Sequence, residues 1–137
     1  MPRFVVLHHQ CPAELPRPTH WDLMLEHGGT LVTWALQRPP DEPAPIAAER
    51  LPDHRLDFLS YQGPLTGGRG SVIRWDEGQY ELQEGELGEH SQRLVLRLSG
   101  GRLRASATLE RVASGQTHWR YTLMPDGPEA TSGAREG

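Results

Sequence analysis

His20-Trp21-Asp22-Leu23-Met24-Leu25-Glu26-His27-Gly28-Gly29-Thr30-Leu31-Val32-Thr33-Trp34-Ala35-Leu36 is the stretch that decides the fold. Two short runs of β-branched, aromatic and aliphatic residues flank a Gly-Gly pair, which is turn chemistry between neighbouring strands. In an extended chain, side chains alternate between faces. Trp21, Leu23 and Leu25 then share one apolar face, and His20, Asp22, Met24 and Glu26 share the other.

The same texture continues outward. Short β-type runs occupy 3–9, 20–26, 30–36, 70–76, 78–82, 93–99, 103–111 and 119–124. Asp76-Glu77-Gly78 and Ser99-Gly100-Gly101 read as further turns. Long segments of helical period are missing. This pattern predicts a mainly β protein, an antiparallel barrel or sandwich. Eight candidate strands permit closure into a small barrel, which removes exposed edges. Cys11 to Thr19, with three prolines, reads as the loop joining the first two strands. Arg38 to Pro52 reads as a second loop, with one helical turn around Ala47 to Arg50. The domain is expected over 1–124, followed by a flexible, disordered tail over 125–137 rich in Gly, Pro, Ser and Glu.

Composition narrows the function classes. The 137 residues suit one domain. No apolar run is long enough for a transmembrane helix, and no basic-then-apolar leader is evident at the N-terminus. A single cysteine, Cys11, forms no internal disulfide, which fits a cytoplasmic protein. The net charge of −4 disfavours non-specific coating of nucleic acid but leaves room for a local basic pocket. Every cationic side chain apart from histidine is arginine, the better bidentate phosphate clamp, although GC-rich coding also produces such a chain.

One constellation suggests chemistry. Val5, Leu7 and His9 share a face of the first strand. If that strand pairs with 20–26 as a hairpin, His9 and His20 meet at its loop end, beside Asp22. Two imidazoles and a carboxylate suit Mn²⁺, Fe²⁺, Zn²⁺ or Co²⁺ and leave positions open for water or substrate. The competing reading of this spacing is a polar strand face with a satisfied histidine. The four tryptophans (21, 34, 75 and 119) read as core pieces, His118 as structural, and the acidic run from Glu81 to Glu89 as a solvated loop. Cys11 lacks an evident activating base, so a nucleophilic role is not expected.

Five ordered blocks carry a resemblance. They are Phe4-Val5-Val6-Leu7-His8-His9, His20 to Glu26, Thr33-Trp34-Ala35-Leu36, Asp53-His54-Arg55-Leu56-Asp57-Phe58, and Gly70 to Gly78. Together they resemble the 3'-phosphoesterase domain of bacterial DNA ligase D and its stand-alone relatives. The resemblance implies a small antiparallel β-barrel with short helical turns and a metal cleft on one side. It implies manganese, with zinc or cobalt as alternatives, held by His9, His20 and Asp22. It implies hydrolysis of 3'-phosphates or removal of 3'-ribonucleotides at DNA or RNA–DNA ends during strand-break repair. His54 matches the histidine that contacts the scissile phosphate, and Arg38 is the nearest match to a basic phosphate contact. A monomer is expected, with a separate repair ligase or polymerase as a possible partner.

The chain also departs from the family pattern. Met24 stands where the family has arginine, Phe58 where it has tyrosine, and Leu7 where it has glutamine. The loop Gly67-Gly68-Arg69-Gly70 is shorter. Arg69, Arg74 or Arg55 are candidates to replace the missing arginine at the phosphate. The alternative function is a catalytically weak or inactive module that binds DNA ends in repair.

Overall fold

A computed structural model describes residues 1–88, 90–112 and 117–125. The strands are β1 (Arg3–Gln10), β2 (His20–His27), β3 (Thr30–Leu36), β4 (Ile46–His54), β5 (Gly63–Pro64), β6 (Ser71–Glu84), β7 (Arg93–Gly100), β8 (Arg104–Arg111) and β9 (His118–Pro125). Neighbours run in the order β1-β2-β3-β4-β9-β8-β7-β6, and β1 also pairs with β6. Every pairing is antiparallel. The result is a closed eight-stranded barrel, with the two-residue β5 added along β6. Among the described residues, helix is limited to single 3-10 turns at Leu56–Leu59 and Thr66–Gly68. No described helix is long and apolar enough to cross a membrane.

Strand alternation sorts the buried residues into two groups. Phe4, Val6, Leu23, Leu25, Val32, Trp34 and Leu36 join side chains from the remaining strands to fill the barrel. Trp34 and Trp119 are buried there, edge to face at 5.4 Å, while Trp21 and Trp75 are partly buried against the same core. The opposite face of β1 and β2 is also apolar. Val5, Leu7, Met24, Leu31 and Val72 form a second cluster, covered by Phe58, Leu59 and Leu65 from the segment that crosses outside the barrel. A barrel wall that is apolar on both faces must be covered, and residues 56–68 supply that cover.

Two expectations about elements are corrected. The supposed loop over 38–52 contains most of β4, with no helical turn at 47–50. Ile46 and Ala48 face inward while Ala47 is exposed, so a true period of two hides in a run that composition makes look uniform. β3 and β9 supply hydrogen bonds on either side of β4 and override its weak β propensity. Pro52 falls where the β3–β4 register shifts, a position that tolerates a missing N–H.

The supposed turn at Asp76-Glu77-Gly78 is instead the middle of β6, which is 14 residues long. β6 pairs first with β1 and then with β7, with a register shift opposite Val6 and Leu7. Gly78 allows the crossing: a Cβ there would lie 2.1 Å from the Ser99 carbonyl oxygen. The same strand absorbs Glu81 and Glu84 of the acidic run, while Glu89 lies outside the described residues. The tail expected from Pro125 begins with the last residue of β9, and 126–137 also lie outside them.

Asp76 holds the next hairpin rather than making its own turn. Its Oδ1 accepts from the Gly101 and Arg102 N–H groups at 2.8 and 3.1 Å, and its Oδ2 from Leu103 at 2.8 Å. Asp76→Ala is expected to lower the unfolding free energy by about 2–4 kcal/mol, because it strands three donors of the β7–β8 turn. Urea denaturation measures this, and a loss below about 0.5 kcal/mol, the range of ordinary surface changes, would refute the anchoring role.

Candidate metal centre and cleft

The β1–β2 register places His9 directly opposite His20, and Leu7 opposite Asp22. All these side chains lie on the outer face of the barrel wall, the face of Met24 and Val5. The hairpin expected from sequence therefore forms, and its loop end brings the three polar groups together. His20 and Asp22 are 1 % and 2 % exposed. His9 Nδ1 lies 3.7 Å from Asp22 Oδ2, and His20 Nε2 lies 3.1 Å from Asp22 Oδ1.

The far side of each imidazole is tied to a carbonyl. His9 Nε2 lies 2.9 Å from the Arg69 oxygen, and His20 Nδ1 lies 2.8 Å from the Pro18 oxygen. A carbonyl only accepts, so each of these nitrogens carries the proton. Neutral His9 and His20 then turn lone pairs from Nδ1 and Nε2 toward the carboxylate. Asp22 Oδ1 is buried and receives no hydrogen bond. Three acceptors converging in a buried corner call for a cation, and two imidazoles with a carboxylate are a divalent-metal donor set. Carbonyl partners on the outer nitrogens are the usual means of orienting histidine ligands. The residues present fit a metal.

Charge in this corner is arranged accordingly. Burial pushes the Asp22 carboxyl upward, but the N–H donation and positive charge that the two imidazoles offer in their protonated forms outweigh it and hold the group below the usual carboxylate range. Protonating His9 would set an N–H against the Asp22 carboxylate, which raises the His9 pKa despite burial, with help from the Arg69 carbonyl. Desolvation, assisted by His20, lowers that of His8.

A cleft of about 490 Å³ opens from this corner. His9 and Asp22 stand in its wall with His54, Phe58, Arg17, Arg55 and Arg69, and Met24, 1 % exposed, forms part of its apolar lining. His54 ends β4, donates Nδ1–H to the Pro52 oxygen at 2.9 Å, and meets Phe58 edge to face at 5.7 Å. Arg69 is placed by the glycine loop. Gly70 (φ +93°) presses against β1 so closely that a Cβ would lie 2.0 Å from the Gln10 carbonyl oxygen. That approach puts the Arg69 carbonyl on His9 and its side chain at the cleft.

Two expected arginines are not among the cleft residues. Arg38 lies beyond β3, donates to the Pro45 oxygen at 2.5 Å and pairs with Glu42 at 3.6 Å. Arg74 lies on β6 beside Glu77 at 3.4 Å, with the Leu59 oxygen at 3.5 Å. Two residues are at the site that the sequence reading either left unmentioned, Arg17, or gave no chemical role, Cys11. Arg17 reaches the cleft from the proline-rich loop and pairs with Glu49 at 2.5 Å. Cys11 Sγ lies 3.9 Å from His20 Nδ1. Burial, reinforced by Asp22, pushes its thiol pKa up, which is the opposite of nucleophile activation. Nothing in the loop pattern marks Arg17, but Cys11 follows His9 by two residues and so continues its face.

Residues 8–111 match the family described as the DNA ligase D 3'-phosphoesterase domain. The chain belongs to that family. It is 30% identical over 113 residues to the multifunctional non-homologous end joining DNA repair protein LigD of Mycobacterium tuberculosis, covering 79% of this chain and 14% of that protein. The LigD protein of Pseudomonas aeruginosa is 31% identical over 116 residues, with the same shares. That of Mycolicibacterium smegmatis is 33% identical over 89 residues, 60% of this chain and 11% of that protein. The chain thus spans about one seventh of the relatives with which it aligns most fully. The barrel is the fold expected of this phosphoesterase-domain family, and Met24, where the resemblance read from sequence expects an arginine, lends an apolar side chain to the cleft wall.

The carbonyl partners make a direct prediction about tautomers. In the metal-free protein, at a pH where both rings are neutral, long-range ¹H–¹⁵N correlation spectra should show His9 protonated at Nε2 and His20 at Nδ1. The reverse assignment for either ring would refute the inward-facing lone pairs.

Proposed function

We propose that this protein is a metal-dependent phosphoesterase that removes 3'-phosphate or 3'-ribonucleotide ends from DNA during strand-break repair. The observation that carries this reading is the convergence of His9, His20 and Asp22, with lone pairs inward, at a cleft edged by His54 and three arginines. Family membership agrees with it, as does the end-joining role in the relatives' names.

His9 Nδ1, His20 Nε2 and an Asp22 oxygen would hold the ion, manganese in our reading, with zinc or cobalt as alternatives. When bound, such an ion offsets charge on a phosphoryl oxygen and acidifies a bound water. The protein's own groups supply the rest. Arg69, Arg17 and Arg55 offset the charge of the terminal phosphate from the cleft rim. Arg38 and Arg74 would have to leave their present partners to join them. His54 spends Nδ1–H on Pro52, so Nε2 faces the cleft and donates to a phosphate oxygen or to the leaving group only as the imidazolium. The substrate is a DNA or RNA–DNA 3' end, and sealing the trimmed break falls to a separate ligase or polymerase activity. We place this work in the cytoplasm and assign it to a monomer.

Met24 favours a second reading, a module that binds DNA ends with little turnover. It sits in the apolar cluster and carries no charge to the reacting phosphate. A primer–template ending in a 3'-phosphate, incubated with Mn²⁺, separates the two. The enzyme reading expects phosphate release that needs the metal, disappears with His9→Ala and falls about 100-fold or more with His54→Ala. End binding without release under Mn²⁺, Zn²⁺, Co²⁺ or Mg²⁺ would establish the binding module instead.

A further inference from the structure

Cys11 is the donor that the phosphoesterase reading leaves unused. The ligating atoms of His9, Cys11 and His20 lie within 4.8 Å of one another. Donors around one tetrahedral zinc ion, at about 2.0–2.3 Å from it, are roughly 3.3–3.8 Å apart. The 3.9 Å between Cys11 Sγ and His20 Nδ1 is close to that range. A second observation comes from the other side of the ring. Asp22 is 2 % exposed, and its Oδ1 faces His20 Nε2 at 3.1 Å without a hydrogen bond.

These two observations meet in the His20 tautomer. With the proton on Nδ1, the ring donates to Pro18 and turns a lone pair toward Asp22. With the proton on Nε2, the ring donates to Asp22 Oδ1, and the bare Nδ1 repels the Pro18 carbonyl oxygen 2.8 Å away; once that carbonyl turns aside, the Nδ1 lone pair is open to an ion shared with Cys11 Sγ, 3.9 Å from it. The second state satisfies the orphaned carboxylate oxygen and is the carboxylate–histidine–metal arrangement found behind many zinc ligands. His20 therefore stands between an oxygen-rich position and a thiol-bearing one.

We propose that His9, Cys11 and His20 form a second metal position, selective for a thiophilic ion of the zinc class, which excludes the manganese-class ion by taking its two histidines. The proposal rests on the reading of His9, His20 and Asp22 as the hard-ion site. Thiolate favours zinc over manganese, whereas carboxylate suits both. On binding, the metal–sulfur bond replaces S–H and the thiol proton leaves to solvent. The His20 proton moves from Nδ1 to Nε2 through solvent, and the hydrogen bond to Pro18 is exchanged for one to Asp22. Zinc would then be an antagonist of the manganese form rather than a substitute for it.

The test uses the full chain with Co²⁺ as the optical stand-in for zinc. Stoichiometric cobalt should produce a near-ultraviolet thiolate-to-metal charge-transfer band, absent in Cys11→Ser and retained in Asp22→Asn. Loss of a supporting group near a metal already costs about 10–100-fold in affinity, so Cys11→Ser should weaken zinc binding by at least about tenfold. Zinc, but not Mg²⁺, should shift His20 to the Nε2–H tautomer in ¹H–¹⁵N spectra. Zinc added to manganese-loaded protein should release Mn²⁺, read by its free-ion EPR signal, and Cys11→Ser should need at least about tenfold more zinc for the same release. No charge-transfer band in the native chain, a band that survives Cys11→Ser, or an unchanged zinc affinity in that variant would overturn the proposal. Failure of the hard-ion reading would appear separately, as no bound manganese to displace, and would leave the cobalt band as it is.

Discussion

The double pairing of β1 is the constraint on which the rest of the structure depends. β1 bonds to β2 on one side and to β6 on the other, and this second pairing closes the sheet. Closure satisfies the backbone groups that an edge strand would leave open. It also makes β1 a wall with an inside and an outside, both buried over Val5 to Leu7. His9 follows on the outer face of that wall. It is held opposite His20 by one pairing and opposite Val72 by the other. The donors thus stand on a rigid double ladder rather than on loops, which keeps their separations fixed.

The outer face explains why the covering segment exists. A strand wall with Val5, Leu7, Met24 and Leu31 pointing outward cannot stand in water. The 3-10 turns at 56–59 and 66–68 cover it with Phe58, Leu59 and Leu65, but the cover stops short of the histidines. The gap between cover and wall is the cleft. The apolar packing of this layer and the polar corner of the site are therefore consequences of one alternation. Inward positions fill the barrel, and outward positions are either covered or become the site.

That alternation is also why so much was legible in the sequence. β1, β2 and β3 have clean period-two patterns and turn residues between or beside them, so the strands and the grouping of His9, His20 and Asp22 followed from spacing, and the ordered blocks supplied the family. β4 was not legible, because Ala47 reads as apolar although it is exposed and Pro52 reads as a breaker although it sits at a register shift. Asp76-Glu77-Gly78 carries turn chemistry that closure redirects: the carboxylate serves another hairpin and the glycine serves a strand crossing. Arg17 and Cys11 come from a loop without periodicity. Cys11 is marked only by standing two residues after His9, and the approach of Arg17 depends on tertiary placement that no local pattern encodes.

Met24 stands where the resemblance read from sequence expects an arginine. An arginine at this position would rise from the wall itself, with its stem in the apolar layer and its head at the phosphate. Methionine extends that apolar layer instead, among Val5, Leu7, Leu31 and Val72. Positive charge then comes from Arg17, Arg55 and Arg69, on segments outside the wall. Arg17 is already paired with Glu49, and Arg69 bonds to Thr66 through its guanidinium. Rim arginines are more hydrated than one rising from the floor, so under the proposed phosphoesterase reading each would offset less phosphate charge, and a greater share of the electrostatic work would fall on an ion held by His9, His20 and Asp22. A site arranged this way would depend more on which ion occupies that corner, and there the adjacent thiol of Cys11 would gain its leverage in the proposed zinc-class position.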